Sequence, residues 1–186
     1  MKLYLVRHGE TEGNRQGRYI GWEDLPLTPA GRHQAELLQH RLATYAVTTV
    51  HSSDLIRAVT TAEAIGAPHH LTPRKDQRLR EANFGLWSGM TYDEIHALDP
   101  DRLHSWIADP EAHAPPGGES LDHLRQRVLQ ALPTQDGAVV VTHGGPIRLL
   151  LSHWTGCSLW DVQINPGGLI MVDWDGGRIQ AVQQLT

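Results

Sequence analysis

Four side chains in this sequence have the types and positions needed to handle a phosphoryl group. Arg7 and His8 come directly after a short apolar run, and His143 comes directly after the β-branched run AVVVT. Arg57 lies at the predicted start of a helix, in SSDLIRAVTTAE. Planar guanidinium groups bind phosphoryl oxygens through paired N–H donors, and a histidine nitrogen can attack phosphorus to form a covalent intermediate. This set predicts phosphoryl transfer.

The carboxylate of Glu81 could carry out the proton transfers that the reaction needs. Glu81 lies in the segment RLREANFG. The oxygen that leaves phosphorus needs a proton, which a carboxylic acid can supply and later recover from an attacking water. The glycine-containing loop after His8 and the predicted helix start after Gly144 would add backbone N–H donors for the phosphoryl oxygens.

No metal motif accompanies these residues in the sequence. There are 12 histidines, but no His-x-His, no HExxH and no Cys/His cluster with zinc spacing. Most of the other histidines are expected on the surface. We therefore expect a reaction that uses neither a metal ion nor a cofactor.

The elements that must position these side chains alternate between strands and helices. The predicted strands are Lys2–Val6, Val47–Val50, His69–Leu71, Ala138–Thr142 and a terminal hairpin of Leu169–Trp174 and Arg178–Gln183, joined through Asp175, Gly176 and Gly177. The predicted helices run from Pro29 to Ala43, from an N-cap at Ser53 or Asp54 to Ala64, from Ser120 to Leu132 and from Pro146 to Trp154.

This alternation indicates an α/β fold with a mostly parallel central sheet. Ligands of such sheets bind beyond the carboxyl ends of the strands. If the strands that precede His8 and His143 are neighbours, both histidines face one pocket. Residues 9–29 are expected to form a long loop. Residues 76–118 are expected to form an inserted lid subdomain, with short helical patches near Tyr92–Leu98 and Arg102–Ile107.

Size and composition limit the classes of protein. The 186 residues suit one domain, since domains hold roughly 100–200 residues. The net charge of −5 and the lack of a Lys/Arg run argue against a nucleic-acid partner. The apolar stretch Leu3–Val6 is too short for a signal peptide or a membrane span, and the single Cys157 cannot form an internal disulfide. We expect a cytoplasmic monomer or homodimer that acts on a small molecule and not on membranes.

At these residues the sequence resembles the histidine phosphatase superfamily, in the branch that contains the cofactor-dependent phosphoglycerate mutases. The block LYLVRHGETEGN resembles the N-terminal signature of that family. Later blocks follow in the same order: DLPLTPAGRHQA, SSDLIRAVTTAE, LREANFGLWSG, PPGGES and VVVTHGGPIR. The resemblance covers nearly the whole chain.

The resemblance implies a three-layer α/β/α sandwich and a role for each site residue. His8 would be the phosphorylated nucleophile, and Glu81 would be the proton donor and acceptor. Three residues would hold the phosphoryl oxygens: Arg7, Arg57 and His143. Five more would support the phosphate pocket or line the approach to it: Asn14, Gly144, Thr11, Gly21 and Trp22.

Within this family, we expect a phosphatase and not a mutase. A mutase must shield its phosphoenzyme from water, whereas a phosphatase must admit water. The segment between Glu81 and His143 is shorter than in the mutases. The sequence also ends at Thr186, without the tail that closes over the mutase site, and the tyrosine that mutases carry three residues after the catalytic glutamate is Phe84 here.

The charge of the expected lid predicts the kind of substrate. Between Ala82 and Leu124 the only Lys or Arg is Arg102, which lies among aspartate and glutamate residues. Such a lid would disfavour a small polyanion and favour a monophosphate on a larger neutral or aromatic group. Four aromatic side chains could stack on that group: Phe84, Trp87, Tyr92 and Trp106.

The compact length and the PPGGES block resemble most the α-ribazole phosphatases of cobalamin nucleotide-loop assembly. This resemblance implies a phosphomonoester hydrolase that acts on α-ribazole 5'-phosphate. A cofactor-dependent phosphoglycerate mutase and a broad-specificity phosphatase are the alternatives within the family. A module that only binds phosphorylated partners is the alternative of another class. Such a module would have lost His8 or Glu81, and both are present.

Overall fold

Six strands form one sheet across residues 1–174 and 179–185, the part of the chain that the computed structural model describes. They are β1 (Lys2–Arg7), β2 (Thr49–Ser52), β3 (Arg74–Lys75), β4 (Ala138–Thr142), β5 (Leu169–Trp174) and β6 (Ile179–Leu185). Their order across the sheet is β3-β2-β4-β1-β5-β6. The first four strands in this order run parallel, and β5 and β6 are antiparallel to their neighbours. The predicted mostly parallel sheet is confirmed.

Seven α-helices lie within the same described residues. They are α1 (Glu12–Arg15), α2 (Pro29–Leu42), α3 (Ile56–Gly66), α4 (Tyr92–Leu98), α5 (Pro100–Ala108), α6 (Leu121–Ala131) and α7 (Gly144–Thr155). None of these helices combines the length and the apolar character that crossing a bilayer requires.

Both faces of the sheet are buried, because side chains of each central strand alternate between two apolar clusters. In β1, Leu3 and Leu5 pack with α6 and α7 on one face. Tyr4 and Val6 pack with α2 and α3 on the other face. A parallel strand covered on both faces needs a continuous apolar run, which explains the composition of β1 and β4. The predicted three-layer α/β/α sandwich is confirmed.

The start of α3 differs from the sequence prediction. The sequence predicts Ser53 or Asp54 as the N-cap, but α3 begins at Ile56 and has no side-chain cap. Ser53 instead contacts His143, and Asp54 accepts two hydrogen bonds from Arg80. A capping oxygen contributes about 1 kcal/mol, and a bidentate hydrogen bond to a charged group can exceed that.

Three further details differ from the prediction or extend it. Within the predicted loop 9–29, Thr11 and Asn14 form a capping box that starts α1. The predicted strand His69–Leu71 is wrong, because a 3-10 helix spans Ala67–His69 and its C-cap, His70, has a φ of 56° that does not fit a strand. The third strand follows at β3. The turn predicted at 175–177, together with Arg178, lies outside the described residues.

Residues 76–118 pack around an apolar cluster of their own. Its buried members are Trp87, Ile95, Leu103 and Trp106. Trp87 is 1% exposed, so the hypothesis that it stacks on a substrate is wrong. Trp106 is also largely buried, but part of its surface borders a cavity described below.

We predict that Leu150→Ala lowers the free energy of unfolding by about 2–5 kcal/mol, because Leu150 is fully buried in the cluster between α7 and the sheet. The matched change Leu37→Ala affects a side chain that is 55% exposed on α2, and should cost about 0.5 kcal/mol or less. Urea unfolding followed by circular dichroism measures both values. Equal losses in the two variants would contradict the packing described for α7.

Candidate active site

The parallel pairing of β1 with β4 brings the two site histidines together. Arg7 lies opposite Thr142 in the register, and the backbone N–H of His8 donates to the carbonyl of Thr142 at 3.0 Å. The rings of His8 and His143 lie 5.0 Å apart between centroids. Both side chains are buried. The two rings therefore lie side by side at the carboxyl ends of adjacent strands.

Hydrogen bonds fix which ring nitrogen of His8 is unprotonated. Nδ1 lies 2.6 Å from the carbonyl oxygen of Gly9, and it must carry the proton in order to donate to that oxygen. Nε2 then keeps its lone pair and accepts from Nε of Arg57 at 3.3 Å. The result is an imidazole whose nucleophilic nitrogen touches a guanidinium group.

Backbone carbonyls, and not a paired carboxylate, hold Arg57 among the described residues. Nη1 donates to the carbonyl of Glu23 at 2.6 Å, and Nη2 donates to the carbonyl of Gly21 at 2.7 Å. The side chain is 1% exposed, and this burial lowers its pKa to about 10. The guanidinium group stays charged at pH 7. The site therefore contains a buried cation whose charge is available to an anion.

Arg7 lies against the first turn of α7. Its Nη1 donates to the carbonyl of Ile164 at 2.7 Å. A Cβ atom at Gly144 would lie 3.4 Å from Cζ of Arg7, so the guanidinium group packs on the backbone there. Its Nε is buried and has no hydrogen-bond partner among the described residues. Burial lowers the pKa of Arg7, and the nearby Glu81 carboxylate opposes that shift.

Ser53 orients His143 from the end of β2. Oγ of Ser53 lies 2.9 Å from Nε2 of His143, and the same oxygen accepts from the N–H of Leu55 at 3.4 Å. We assign the hydroxyl of Ser53 as the donor to Nε2, since this direction leaves the ring proton of His143 on the side of the pocket. Nδ1 of His143 then carries the ring proton, and it is buried without a partner among the described residues. Such a donor suits a phosphoryl oxygen.

Burial keeps both histidines neutral. The pKa values of His8 and His143 lie well below the ordinary 6.5, with desolvation as the main cause and the charge of Arg57 as the next. Residues 1–174 and 179–185 contain no group of three or more His, Cys, Asp or Glu placed to hold a metal ion. Neutral histidines and buried guanidinium groups together suit nucleophilic attack on phosphorus.

The carboxylate of Glu81 lies on the first turn of α7. The N–H of Gly145 donates to both carboxylate oxygens at 3.1 Å, and the N–H of Ala82 donates to Oε1 at 2.9 Å. A Cβ atom at Gly145 would lie 2.2 Å from Oε1, so a larger residue there would displace the Glu81 carboxylate. The backbone carbonyl of Glu81 accepts from Nε1 of Trp22 at 2.9 Å and from Nη2 of Arg127 at 2.8 Å. Hydrogen bonds therefore hold both the carboxylate and the backbone carbonyl of Glu81 in place.

The resemblance places three residues along the approach to the phosphate pocket. In the structure, each of them contacts another residue of the site. Thr11 donates through its hydroxyl and its N–H to Oδ1 of Asn14, each at 3.0 Å. Gly21 and Trp22 support the site through the carbonyl and indole contacts already described. None of the three lines the cavity beside the site, whereas Asn14 does. Their contacts position other groups of the site, and a direct contact with a ligand stays a prediction for all three.

A cavity of about 490 Å³ lies beside this cluster. Site residues form part of its lining: Arg7, Asn14, Glu81, Gly144 and Gly145. Aromatic side chains form another part: Tyr19, Phe84, Tyr92, Trp106 and Trp160. Two additional arginines complete the charged lining: Arg18 and Arg148. The more deeply buried His8, Arg57 and His143 do not belong to the lining.

The acidic residues of the expected lid do not face this cavity. Glu94 pairs with Arg18, and Glu119 pairs with Arg127. Among the described residues, Glu81 is the only carboxylate in the cavity lining. Two carboxylates of the expected lid thus pair with arginines of neighbouring elements, and the influence of the lid's charge on the choice of substrate stays a prediction.

The sequence analysis missed three residues of the site: Ser53, Arg127 and Arg148. Ser53 follows β2, so its position at the same sheet edge as His143 was a usable signal. Arg148 lies four residues after Gly144 in HGGPIR, a spacing that places both on one helix face. Arg127 reaches the carbonyl of Glu81 from α6. No local sequence pattern predicts that long-range contact.

A family model described as the histidine phosphatase superfamily (branch 1) matches residues 3–185. The chain is 34% identical over 165 residues to phosphoserine phosphatase 1 of Hydrogenobacter thermophilus, covering 86% of this chain and 78% of that protein. It is 37% identical over 158 residues to phosphoglycerate mutase-like protein 4 of Arabidopsis thaliana, covering 80% and 69%. It is also similar to the crystal structure of the α-ribazole phosphatase from Shigella flexneri, with 28% identity, a TM-score of 0.85 and coverage of 96% and 93%.

The lowered pKa values predict how the two buried histidines titrate. NMR ring signals of His8 and His143, assigned by their loss in the corresponding alanine variants, should stay in the neutral form as the pH falls from 8 to 6.5. The unfolded chain binds these protons near 6.5, so the free energy of unfolding should fall as the pH drops below that value. A titration midpoint at or above 6.5 for either ring would contradict the burial described.

Replacing Ser53 by alanine should slow hydrolysis of p-nitrophenyl phosphate about tenfold, because Nε2 of His143 loses the hydroxyl that sets its tautomer. Ser52→Ala is the matched control. Ser52 is equally buried, and its hydroxyl donates to the carbonyl of Ser53 at 2.7 Å without contacting His143. Steady-state kinetics measure both variants. An equal loss in Ser52→Ala would mean that Ser53 acts only through folding.

Proposed function

This chain belongs to the histidine phosphatase superfamily, branch 1, and we propose that it is a phosphatase that hydrolyses small phosphomonoesters through a phosphohistidine at His8. The state of His8 carries this proposal. Its ring is buried and neutral, Nδ1 is bonded to Gly9, and the lone pair of Nε2 lies beside Arg57. These are the properties of a nitrogen nucleophile prepared to attack phosphorus.

In the first step, Nε2 of His8 forms a bond to phosphorus while the bond from phosphorus to the ester oxygen breaks. Glu81, as the carboxylic acid, gives its proton to the departing oxygen, so the alcohol leaves neutral. Arg57 contacts the attacking nitrogen, and Arg7 lies beside the start of α7. Their charges, with the Nδ1–H of His143, stabilise the negative charge on the transferred oxygens.

In the second step, water attacks the phosphorus of the phosphohistidine. The Glu81 carboxylate takes a proton from that water as the nitrogen–phosphorus bond breaks, and inorganic phosphate leaves. Glu81 borders the cavity, so water in the cavity can reach it. The backbone of Gly144 and the side chain of Asn14 border the same space and are proposed as further phosphate contacts.

Hydrolysis is favoured over a mutase reaction by the size of the cavity. A volume of about 490 Å³ leaves room for several waters beside a small substrate, since one water occupies about 30 Å³. A mutase has to exclude that water. The similarity to a phosphoglycerate mutase-like protein keeps the mutase as the alternative. Conversion of 3-phosphoglycerate to its 2-isomer, without release of phosphate, would support the mutase.

The substrate proposed from the sequence, α-ribazole 5'-phosphate, has two supports. Aromatic side chains line much of the cavity, as a flat leaving group would require. The chain is similar to a protein whose title names it an α-ribazole phosphatase. A broad-specificity phosphatase is the alternative. Rates of phosphate release from α-ribazole 5'-phosphate, AMP and p-nitrophenyl phosphate separate the two, and turnover that persists in EDTA would agree with a reaction without metal.

Replacing His8 by alanine should abolish turnover and the acid-labile phosphoenzyme, because no other group in the site offers a free ring nitrogen beside Arg57 in the described structure. His33→Ala is the control, since His33 is exposed on α2. Acid-quenched reactions analysed by mass spectrometry detect the phosphohistidine, and phosphate release measures turnover. A fully active His8→Ala variant would contradict the proposed nucleophile.

A further inference from the structure

A single side chain of α6 holds the backbone around Glu81. Residues 80–83 belong to no strand or helix. Nη1 of Arg127 donates to the carbonyls of Arg78 and Arg80, each at 2.8 Å. Its Nη2 donates to the carbonyl of Glu81, also at 2.8 Å. A backbone segment without a hydrogen-bond ladder of its own depends on such partners. One guanidinium group therefore binds three carbonyls of the segment that carries Glu81.

Glu119, which precedes α6, binds both Arg127 and the far side of the same segment. Its Oε2 accepts from Nε of Arg127 at 3.0 Å, and its Oε1 accepts from Nη2. Oε1 also accepts from the N–H of Asn83 at 2.9 Å, and the N–H of Glu119 donates to the carbonyl of Asn83 at 2.9 Å. The two side chains are 18% and 15% exposed, so solvent screens their attraction little. The Arg127–Glu119 pair thus connects the residues on both sides of Glu81.

This pair differs from the phosphate-binding groups. The five N–H donors of Arg127 are all bonded, three to backbone carbonyls and two to oxygens of Glu119. The carboxylate of Glu119 also compensates the charge of Arg127. Neither residue belongs to the described lining of the cavity beside the site. No donor of Arg127 is left for a phosphoryl oxygen, so we expect the pair to act through Glu81.

The position of Glu81 matters because its carboxyl group must reach the departing oxygen. Proton transfer needs a heavy-atom distance of about 2.6–3.2 Å, and a misplacement of about 1 Å can cost about 100-fold in rate. Oε1 of Glu81 accepts from the N–H of Ala82, which lies in the segment that the pair holds. A shift of that backbone would therefore move the carboxyl group with it.

We propose that the Arg127–Glu119 pair positions the carboxyl group of Glu81 for protonation of the leaving group, and so determines how basic a leaving group the enzyme releases. The inference rests on the proposed function, in which Glu81 is the proton donor. It predicts that the pair is required for hydrolysis of alkyl phosphates, whose alkoxide must be protonated. Hydrolysis of aryl phosphates with a stable phenolate needs the pair much less.

Two substrates test this inference, because they share one benzene ring and differ at the oxygen that leaves. The p-nitrophenolate ion leaves without a proton, whereas the alkoxide of benzyl phosphate needs one. In Arg127→Met, kcat/KM for benzyl phosphate should fall about 10- to 100-fold, while kcat/KM for p-nitrophenyl phosphate stays close to that of the wild type. The ratio of the two values does not depend on the fraction of protein that is folded.

A second measurement uses the water step, which is the same for both substrates. Glu81 takes a proton from water in that step, so Arg127→Met should also lower kcat for p-nitrophenyl phosphate. The phosphoenzyme would then accumulate, and stopped-flow absorbance should show a burst of p-nitrophenolate. A role in folding alone would lower kcat and kcat/KM by the same factor and would produce no burst.

Arg125→Met is the matched control. Arg125 lies on the same helix and also pairs with two carboxylates, those of Glu111 and Asp122. Within the described structure it makes no hydrogen bond to residues 78–83. Arg125→Met should therefore keep the wild-type ratio between the two substrates.

Two milder variants keep the test valid if Arg127→Met does not fold. Arg127→Lys keeps the charge but not the fork of donors, and Glu119→Gln keeps an acceptor for the N–H of Asn83 but removes the charge. Both should lower the ratio in the same direction. An equal loss on both substrates would mean that Arg127 acts on the phosphoryl group and would overturn the inference. An unchanged ratio, or the same change in Arg125→Met, would overturn it too.

Glu81→Gln separates this inference from the proposed function. That variant removes the proton itself, so it should lose benzyl phosphate hydrolysis far more than p-nitrophenyl phosphate hydrolysis. If Glu81→Gln shows this selectivity and the Arg127 variants do not, the role of the pair fails and the proposed function stands. If Glu81→Gln slows both substrates equally, Glu81 is not the proton donor, and that step of the proposed function fails together with the inference.

Discussion

The parallel pairing of β1 with β4 is the constraint on which the rest of the site depends. The two strands come from distant parts of the chain, are buried on both faces, and each ends at a histidine. Because such strands are packed closely and hydrogen-bonded along their length, His8 and His143 have little freedom to move apart. The other site residues lie at the same edge of the sheet, at the carboxyl ends of these strands. Arg57 enters from α3, and Glu81 enters from the segment after β3.

Backbone carbonyl groups hold the arginines around His8. In the described structure, carbonyl oxygens of Gly21, Glu23 and Ile164 accept their hydrogen bonds. A carbonyl fixes the direction of a guanidinium group without cancelling its charge, whereas a paired carboxylate would cancel it. The site is therefore already polarised for an anion, and little reorganisation is needed when one binds. Burial is the main reason why the two histidines are neutral, and the charge of Arg57 adds to this effect by lowering their pKa values further.

The sequence predicts the fold and the central residues well because these depend on local pattern. The run AVVVT can only be a buried strand, and Arg7, His8 and His143 follow strands directly. The prediction from sequence fails where long-range contacts compete with the local conformational preference of a residue. Asp54 is a residue type that often caps helices, but its side chain accepts hydrogen bonds from Arg80 instead. The acidic residues after Glu81 counted as a charged lid in the sequence, yet Glu94 and Glu119 pair with arginines of other elements, which no local pattern reveals.

The carbonyl-held arginines also affect what happens after the reaction. Inorganic phosphate presents the same oxygens as the transferred group, so the preorganised cations bind the product as well as the substrate. Interactions shared by ground state and product do not accelerate the chemical step. The consequence of such a site is product inhibition: free phosphate would compete with substrate for the same cations.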